Sequence, residues 1–252
     1  MATDERHIKE IRANRFVLED EDGKPRAVLG MDRDRPVLGL LDENETLRLG
    51  LCVTKTGPGL LLHDENGEMR AMLNVDENGP NLRLYDEDDK LRLGLGITGD
   101  GPVMTLYDEN EKLRFELCVI KTGPALALYD ENEALCLGLR GDRDSLGLVL
   151  FDENRKPHFE LTMAKEGPVL ILYDKNGKLR LGIDVAEDGP GLSLYDENGK
   201  PRAGLNVLKD GPALALFDKN RKPRFELSVV EDGPGLRLYD EKGEVVWEAP
   251  AF

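Results

Sequence analysis

Several residue types are scarce in this chain, and each scarcity excludes a class of protein. Cys52, Cys118 and Cys136 are too few, and odd in number, for a disulfide framework, and their spacing fits no zinc site. His7, His63 and His158 stand far apart, so no Ser-His-Asp or Cys-His constellation forms, and no glycine-rich phosphate loop is present. Long apolar runs are missing as well; no stretch approaches the roughly 20 residues of a membrane-spanning helix. The first residues, Met1 to His7, are charged, so no secretory leader is expected and a cytoplasmic location is. Positive charge is in deficit: 34 Lys and Arg against 50 Asp and Glu leave a net charge of −16. Such a surface repels nucleic acid and anionic membrane, so neither is expected as a partner.

Glycine and proline, in contrast, are abundant and periodic. The stretch Pro190–Gly211 recurs along the chain, and its Asp196 returns at Asp20, Asp42, Asp64, Asp86, Asp108, Asp130, Asp152, Asp174, Asp218 and Asp240. That is eleven copies at a spacing of 22 residues, without insertion or deletion. An unbroken period of this length marks a repeat protein in which each copy packs on its neighbours. Residues 1–13 precede the array and are expected to form an N-terminal cap, a short helix or irregular segment; residues 14–252 form a single repeat domain. The one soft spot is Arg140–Ser145, where several pattern residues change together.

Within a copy the apolar residues alternate. Leu192 and Leu194 share one face, and Ala203, Leu205 and Val207 share a face after the turn. Period two, twice, predicts strand–turn–strand. The connections are expected at Glu197–Lys200 and Leu208–Gly211. Asn-Gly at Asn198-Gly199, Asn66-Gly67 and Asn176-Gly177 is a hairpin signal because both residues tolerate positive φ. Copies with Asn44-Glu45 or Asn154-Arg155 are expected to use a looser turn. Pairing about Asn198-Gly199 sets Leu194 opposite Ala203, Leu192 opposite Leu205 and Tyr195 opposite Arg202. In the next copy Leu205 meets Leu214 and Arg202 meets Phe217. The second face then reads aromatic, Arg, aromatic, Arg, with guanidinium groups lying against rings.

Two architectures fit a two-strand repeat: an antiparallel meander of eleven hairpins closed or flattened into a barrel or ring, and a parallel β-solenoid with two strands per coil. In the solenoid Asp196 would stand about 4.8 Å from Asp174 and Asp218, and like charges stacked at that spacing are destabilising. The meander is therefore preferred. Its even strand number allows Phe16–Asp20 to pair with Val245–Ala249 and close the ring, although a barrel of about 22 strands has a lumen too wide for side chains to fill.

The pattern Pro-x-Leu-x-Leu-Tyr-Asp-x-Asn-Gly-Lys-x-Arg, as at Pro168–Arg180 and Pro190–Arg202, resembles the hairpin repeats of the bacterial β-flower proteins. The resemblance spans residues 14–249. It implies a shallow ring of β-hairpins about a hydrophobic channel, a fold compared with tubby-like barrels, and it implies no catalytic residues.

The candidate site follows from the one position that is Leu in every copy: Leu18, Leu40, Leu62, Leu84, Leu106, Leu128, Leu150, Leu172, Leu194, Leu216 and Leu238. These residues are expected to be buried and to line an interior or channel. The expected function is a non-catalytic repeat protein that binds a hydrophobic or lipid-like small molecule. The alternative is a structural or protein-interaction scaffold, a solenoid spacer or fibre segment, using the exposed Tyr/Arg face. The Asp-Glu-Asn-Gly runs are read as capped turns, because a calcium loop needs a distal acid that is missing here. No cofactor, metal or catalytic residue is assigned. The substitution of Leu-Gly-Leu by Phe-Glu-Leu at Phe115-Glu116, Phe159-Glu160 and Phe225-Glu226 is expected to be a packing compensation.

Overall fold

The computed structural model describes residues 10–142, 145–231 and 233–249. The expected cap at 1–13 lies outside them as far as residue 9, and residues 10–13 carry no helix or strand. Two units make up the chain, Met1–Glu111 and Lys112–Phe252. The first holds β1 (Arg15–Glu19), β2 (Pro25–Asp32), β3 (Arg35–Leu41), β4 (Leu47–Thr54), β5 (Gly57–His63), β6 (Met69–Asp76), β7 (Gly79–Tyr85), β8 (Leu91–Thr98) and β9 (Gly101–Tyr107). The second holds β10 (Leu113–Ile120), β11 (Gly123–Tyr129), β12 (Leu135–Gly141), β13 (Leu146–Phe151), β14 (Pro157–Ala164), β15 (Gly167–Tyr173), β16 (Leu179–Ala186), β17 (Gly189–Tyr195), β18 (Pro201–Leu208), β19 (Gly211–Phe217), β20 (Pro223–Val230), β21 (Gly233–Tyr239) and β22 (Val245–Ala249).

The fold is all-β, an antiparallel meander of 22-residue hairpins, with no helix among the described residues. Leu192 pairs with Leu205 and Leu205 with Leu214, both antiparallel. This removes the parallel solenoid, and with it the stacking of Asp on Asp that made that architecture costly. The expected ring closure is not made: among the described residues β1 pairs with β2 and β22 with β21, and neither has a second ladder. The width of a lumen enclosed by about 22 strands gives the physical reason, since side chains cannot fill it.

One turn serves every copy. The Asp196 N–H donates to the Lys200 carbonyl at 2.9 Å, and the Gly199 N–H donates back to the Asp196 carbonyl at 2.9 Å. The side-chain Oδ1 of Asp196 then accepts from the Asn198 N–H at 2.8 Å and the Lys200 N–H at 3.1 Å. The Asp thus satisfies two loop donors, the role Asp plays in Asx turns. Counted from the Asp, only the fourth residue of the turn takes positive φ, as at Gly199, and the Asn before it does not. The geometry is a type I turn followed by a left-handed residue, not the mirror-image turn that Asn-Gly suggests. The loops with Glu45 and Arg155 are no looser. Glu45, Asp89, Glu111, Glu133, Arg155 and Arg221 take the same left-handed conformation, with φ between 58° and 66°.

A left-handed residue at the end of the turn brings a bulge with it. The register slips between Leu194 and Tyr195, so Tyr195 stands opposite Pro201, not opposite Arg202. The same slip sets Tyr85 against Leu91. Leu194 keeps Ala203, as the alternation predicted. The arginine released by the bulge reaches back to the turn: Arg92 lies 3.3 Å from Asp86 and Arg224 2.8 Å from Asp218, and Arg70 grips Asp64 in the same way. In these hairpins the arginine is therefore engaged by the Asp of its own turn, in place of the expected row of alternating rings and guanidiniums.

The second connection has two loop residues, Lys209 and Asp210, between the paired Leu208 and Gly211. Gly211 has φ of 130°, and a β-carbon there would lie 1.8 Å from the Val229 carbonyl oxygen. Gly57, Gly167 and Gly189 meet the same obstacle at 1.8 Å. Close backbone approach thus explains why Gly precedes Pro at the start of these strands.

Candidate functional site

The pairing registers arrange the apolar side chains in three rows on one face. In the second unit the first row runs Phe115, Leu128, Leu137, Leu150, Phe159, Leu172, Leu181, Leu194, Ala203, Leu216, Phe225, Leu238, Trp247, each opposite the next. The second row holds Leu192, Leu205 and Leu214 and their equivalents, and the third holds pairs such as Val207 with Pro212. In the first unit the first row runs Leu18, Ala27, Leu40, Leu49, Leu62, Ala71, Leu84, Leu93, Leu106. No polar side chain interrupts these first rows. At about 4.8 Å per strand and 3.4 Å per residue, the three rows cover on the order of 500 Å² in the first unit and 800 Å² in the second. The largest apolar patch of an ordinary monomer is about 300–600 Å².

All eleven predicted leucines fall in the first row. Their burial does not follow the expectation. Leu18 is 65% exposed, Leu40, Leu62, Leu84, Leu128, Leu150, Leu172, Leu194, Leu216 and Leu238 are 37–42% exposed, and Leu106 is half-buried. Ala134 is the one buried apolar residue among those described. No described residue stacks on the leucine face, so the side chains pack sideways against one another and leave their ends open. The single-residue repeat signal also captured only one row in three. The second and third rows belong to the same surface, and Phe115, Phe159, Phe225 and Trp247 fill first-row places that smaller residues hold elsewhere.

In the first unit this surface hollows into a groove of about 500 Å³. Its walls are apolar, formed by Leu29, Leu38, Leu51, Leu60, Leu73 and Val75 with Pro36 and Pro58.

On the opposite face the turn carboxylates are held by internal bonds. The Lys200 N–H, the Asn198 N–H and the charge of Arg202 hold the Asp196 carboxyl below the usual carboxylate range. Asp218 is held down in the same way by Lys222, Asn220 and Arg224. Lysines following the turn step to the neighbouring hairpin; Lys222 Nζ donates to the Glu241 carbonyl at 2.9 Å and Lys90 Nζ to the Glu109 carbonyl at 2.6 Å. The Phe-Glu-Leu copies also find their reason here. The Tyr173 hydroxyl donates to Glu160 at 2.8 Å and the Tyr239 hydroxyl to Glu226 at 2.5 Å. At Gly182 and Gly138, where the glutamate is a glycine, the ring of the following strand takes its place, with Tyr195 and Phe151 each 3.9 Å from where a β-carbon would lie. Burial, and then the Glu160 bond and charge, push the Tyr173 hydroxyl up to about 12. Burial likewise raises the Cys118 thiol, whose Sγ lies 3.6 Å from Glu116. Because these carboxylates recur in one environment, no two of them are set apart as acid and base.

No protein family and no curated protein sequence matches the chain. Solved structures similar to it include the TcdB2-TccC3 complex, at 10% identity and a TM-score of 0.17, covering 92% of this chain and 18% of that one. A Photorhabdus luminescens Tc holotoxin pore is similar at 10% identity and a TM-score of 0.18, over 93% of this chain and 18% of the other. Apo AztD from Citrobacter koseri is similar at 14% identity and a TM-score of 0.16, over 95% and 78%. The chain thus spans about 18% of the length of the first two. Overlaps this loose carry no functional argument.

Proposed function

We propose that the chain is a non-catalytic binding protein whose leucine face takes a hydrophobic small molecule or lipid. The observation that carries this reading is a three-row apolar surface left open along its length. The groove of about 500 Å³ in the first unit supports it, because small-molecule sites are concave, mostly apolar and some 300–1,000 Å³ in volume. The net charge of −16 favours a neutral ligand over an anionic lipid. A hydrophobic channel of the β-flower kind is one arrangement in which such a face would be used. The scaffold alternative has less to offer a partner, since Arg92 and Arg224 are bound to aspartates and Tyr173 and Tyr239 to glutamates. Native mass spectrometry of the purified protein tests the proposal. A bound apolar molecule, or stoichiometric uptake of an added neutral lipid, is expected; a bare chain that takes up neither would overturn it.

A further inference from the structure

A second groove, of about 360 Å³, opens on the face opposite the leucines in the first unit. Its floor is β8 at Gly94 and Gly96: the Thr105 hydroxyl overhangs Gly94, 2.7 Å from the place a β-carbon would take, and Gly96 leaves its backbone bare beside Asn81. On one side stand Asn81, Arg83 and Tyr85 of β7, and on the other Val103, Thr105 and Tyr107 of β9. Register places Arg83 between Met72 and Gly94 and sets Gly94 against Thr105. Neither neighbour of Arg83 carries a charge.

The equivalent position in the last hairpin shows a different surrounding for the same arginine. Arg237 lies in register between Glu226 and Glu248, and its Nε donates to Glu248 at 2.6 Å. Arg83 is half-buried and makes no hydrogen bond or ion pair among the described residues. The acid that lines the same groove, Asp76, is already engaged. Its oxygens accept from the Asn78 N–H at 2.9 Å and the Asn81 Nδ2 at 3.1 Å. A guanidinium with no partner inside the protein is open to an anion, and its planar fork matches a carboxylate in two parallel bonds. Tyr85 and Tyr107 line the same groove on the turn side of the glycines, and their rings suit a flat body attached to that anion.

We propose that this groove binds a small carboxylate-bearing molecule, its carboxylate on Arg83 and its body in the groove that Gly96, Tyr85 and Tyr107 line. The inference is independent of the leucine-face reading, which concerns the other side of the sheet. The amide resonances of Gly94 and Gly96 are to be followed by NMR during titration with benzoate, acetate, benzamide and inorganic phosphate. Benzoate is expected to shift both resonances, with benzamide at least about tenfold weaker, the scale of one charge-assisted bond. Arg83→Met should weaken benzoate by about tenfold or more, while Arg237→Met should leave it unchanged. Gly96→Leu keeps the guanidinium but fills the floor; a β-carbon there meets Asn81 Cβ at an ordinary 3.6 Å, so the fold should survive and binding should be lost. The proposal is overturned if neither benzoate nor acetate shifts the two resonances, if Arg83→Met binds benzoate as the wild type does, or if phosphate binds more tightly than benzoate.

Discussion

Replacing Glu45 by glycine should stabilise this protein, although the change removes a whole side chain. Glu45 is held at φ of 61°, a conformation that costs an L-residue about 1–2 kcal/mol. Glycine adopts it freely but brings about 0.5–1 kcal/mol of extra unfolded-state freedom. The difference leaves a net gain of about 0.5–1 kcal/mol. Arg155 at φ of 61° and Arg221 at 66° are in the same position, and none of the three side chains makes a bond within the described structure. Glu133 is a poorer choice, because it also binds Lys112 at 3.1 Å. Together, Glu45→Gly, Arg155→Gly and Arg221→Gly should add about 1.5–3 kcal/mol, since the three belong to separate hairpins and share no bonded partner. Urea unfolding followed by far-ultraviolet circular dichroism measures this as a higher midpoint at unchanged slope. Asn44→Gly, one residue earlier and outside the left-handed region, is the control and should destabilise by about 0.5–1 kcal/mol. If Glu45→Gly behaves no better than Asn44→Gly, the shared turn geometry is wrong.

Other outcomes follow from the same contacts. Gly211→Ala sets a β-carbon against the Val229 carbonyl and should cost roughly 2–4 kcal/mol in the same unfolding assay. Tyrosine ionisation followed by ultraviolet absorbance should show Tyr173 titrating late, near 12, and Glu160→Gln should bring its transition back toward the ordinary range. The carboxyls of Asp174, Asp196 and Asp218 are depressed in the fold. Their contribution is therefore present above the unfolded carboxylate pKa of about 3.9 and is lost as pH falls through the lower folded values; unfolding midpoints at pH 7, 4 and 3 should fall in that order.

Much of the fold is legible in the sequence because the side-chain period and the backbone period agree. Leu192, Leu194, Leu205 and Leu214 alternate strictly, so their pairing and shared face follow from spacing alone. The bulge is hidden for the same reason. Leu194 with Ala203 fits a straight ladder and a bulged one equally well, and only the Tyr195 side of the pair reveals the slip. Asn198-Gly199 misleads about the turn because Asn-Gly serves two turn types, whereas Asp196, present in every copy, carries the side-chain bonds that decide between them. The leucine face was legible as a surface but its exposure was not. Alternation specifies which side chains share a face and is silent on what lies over that face. Arg83 and Arg237 read alike in sequence, each within Leu-Arg-Leu. What separates them is the neighbouring strand, two glutamates for one and a methionine and a glycine for the other.

Two adjacent residues give the most direct test of the leucine face as a binding surface. Leu60 lies in the second apolar row and lines the groove of about 500 Å³, while Leu61 points to the other side of the same strand. Nile red, a neutral apolar dye, is titrated into the wild type, Leu60→Asp and Leu61→Asp, with fluorescence as the readout. The expected result is saturable uptake by the wild type, retained by Leu61→Asp and lost by Leu60→Asp. Equal uptake by the two variants, or none by the wild type, would contradict it.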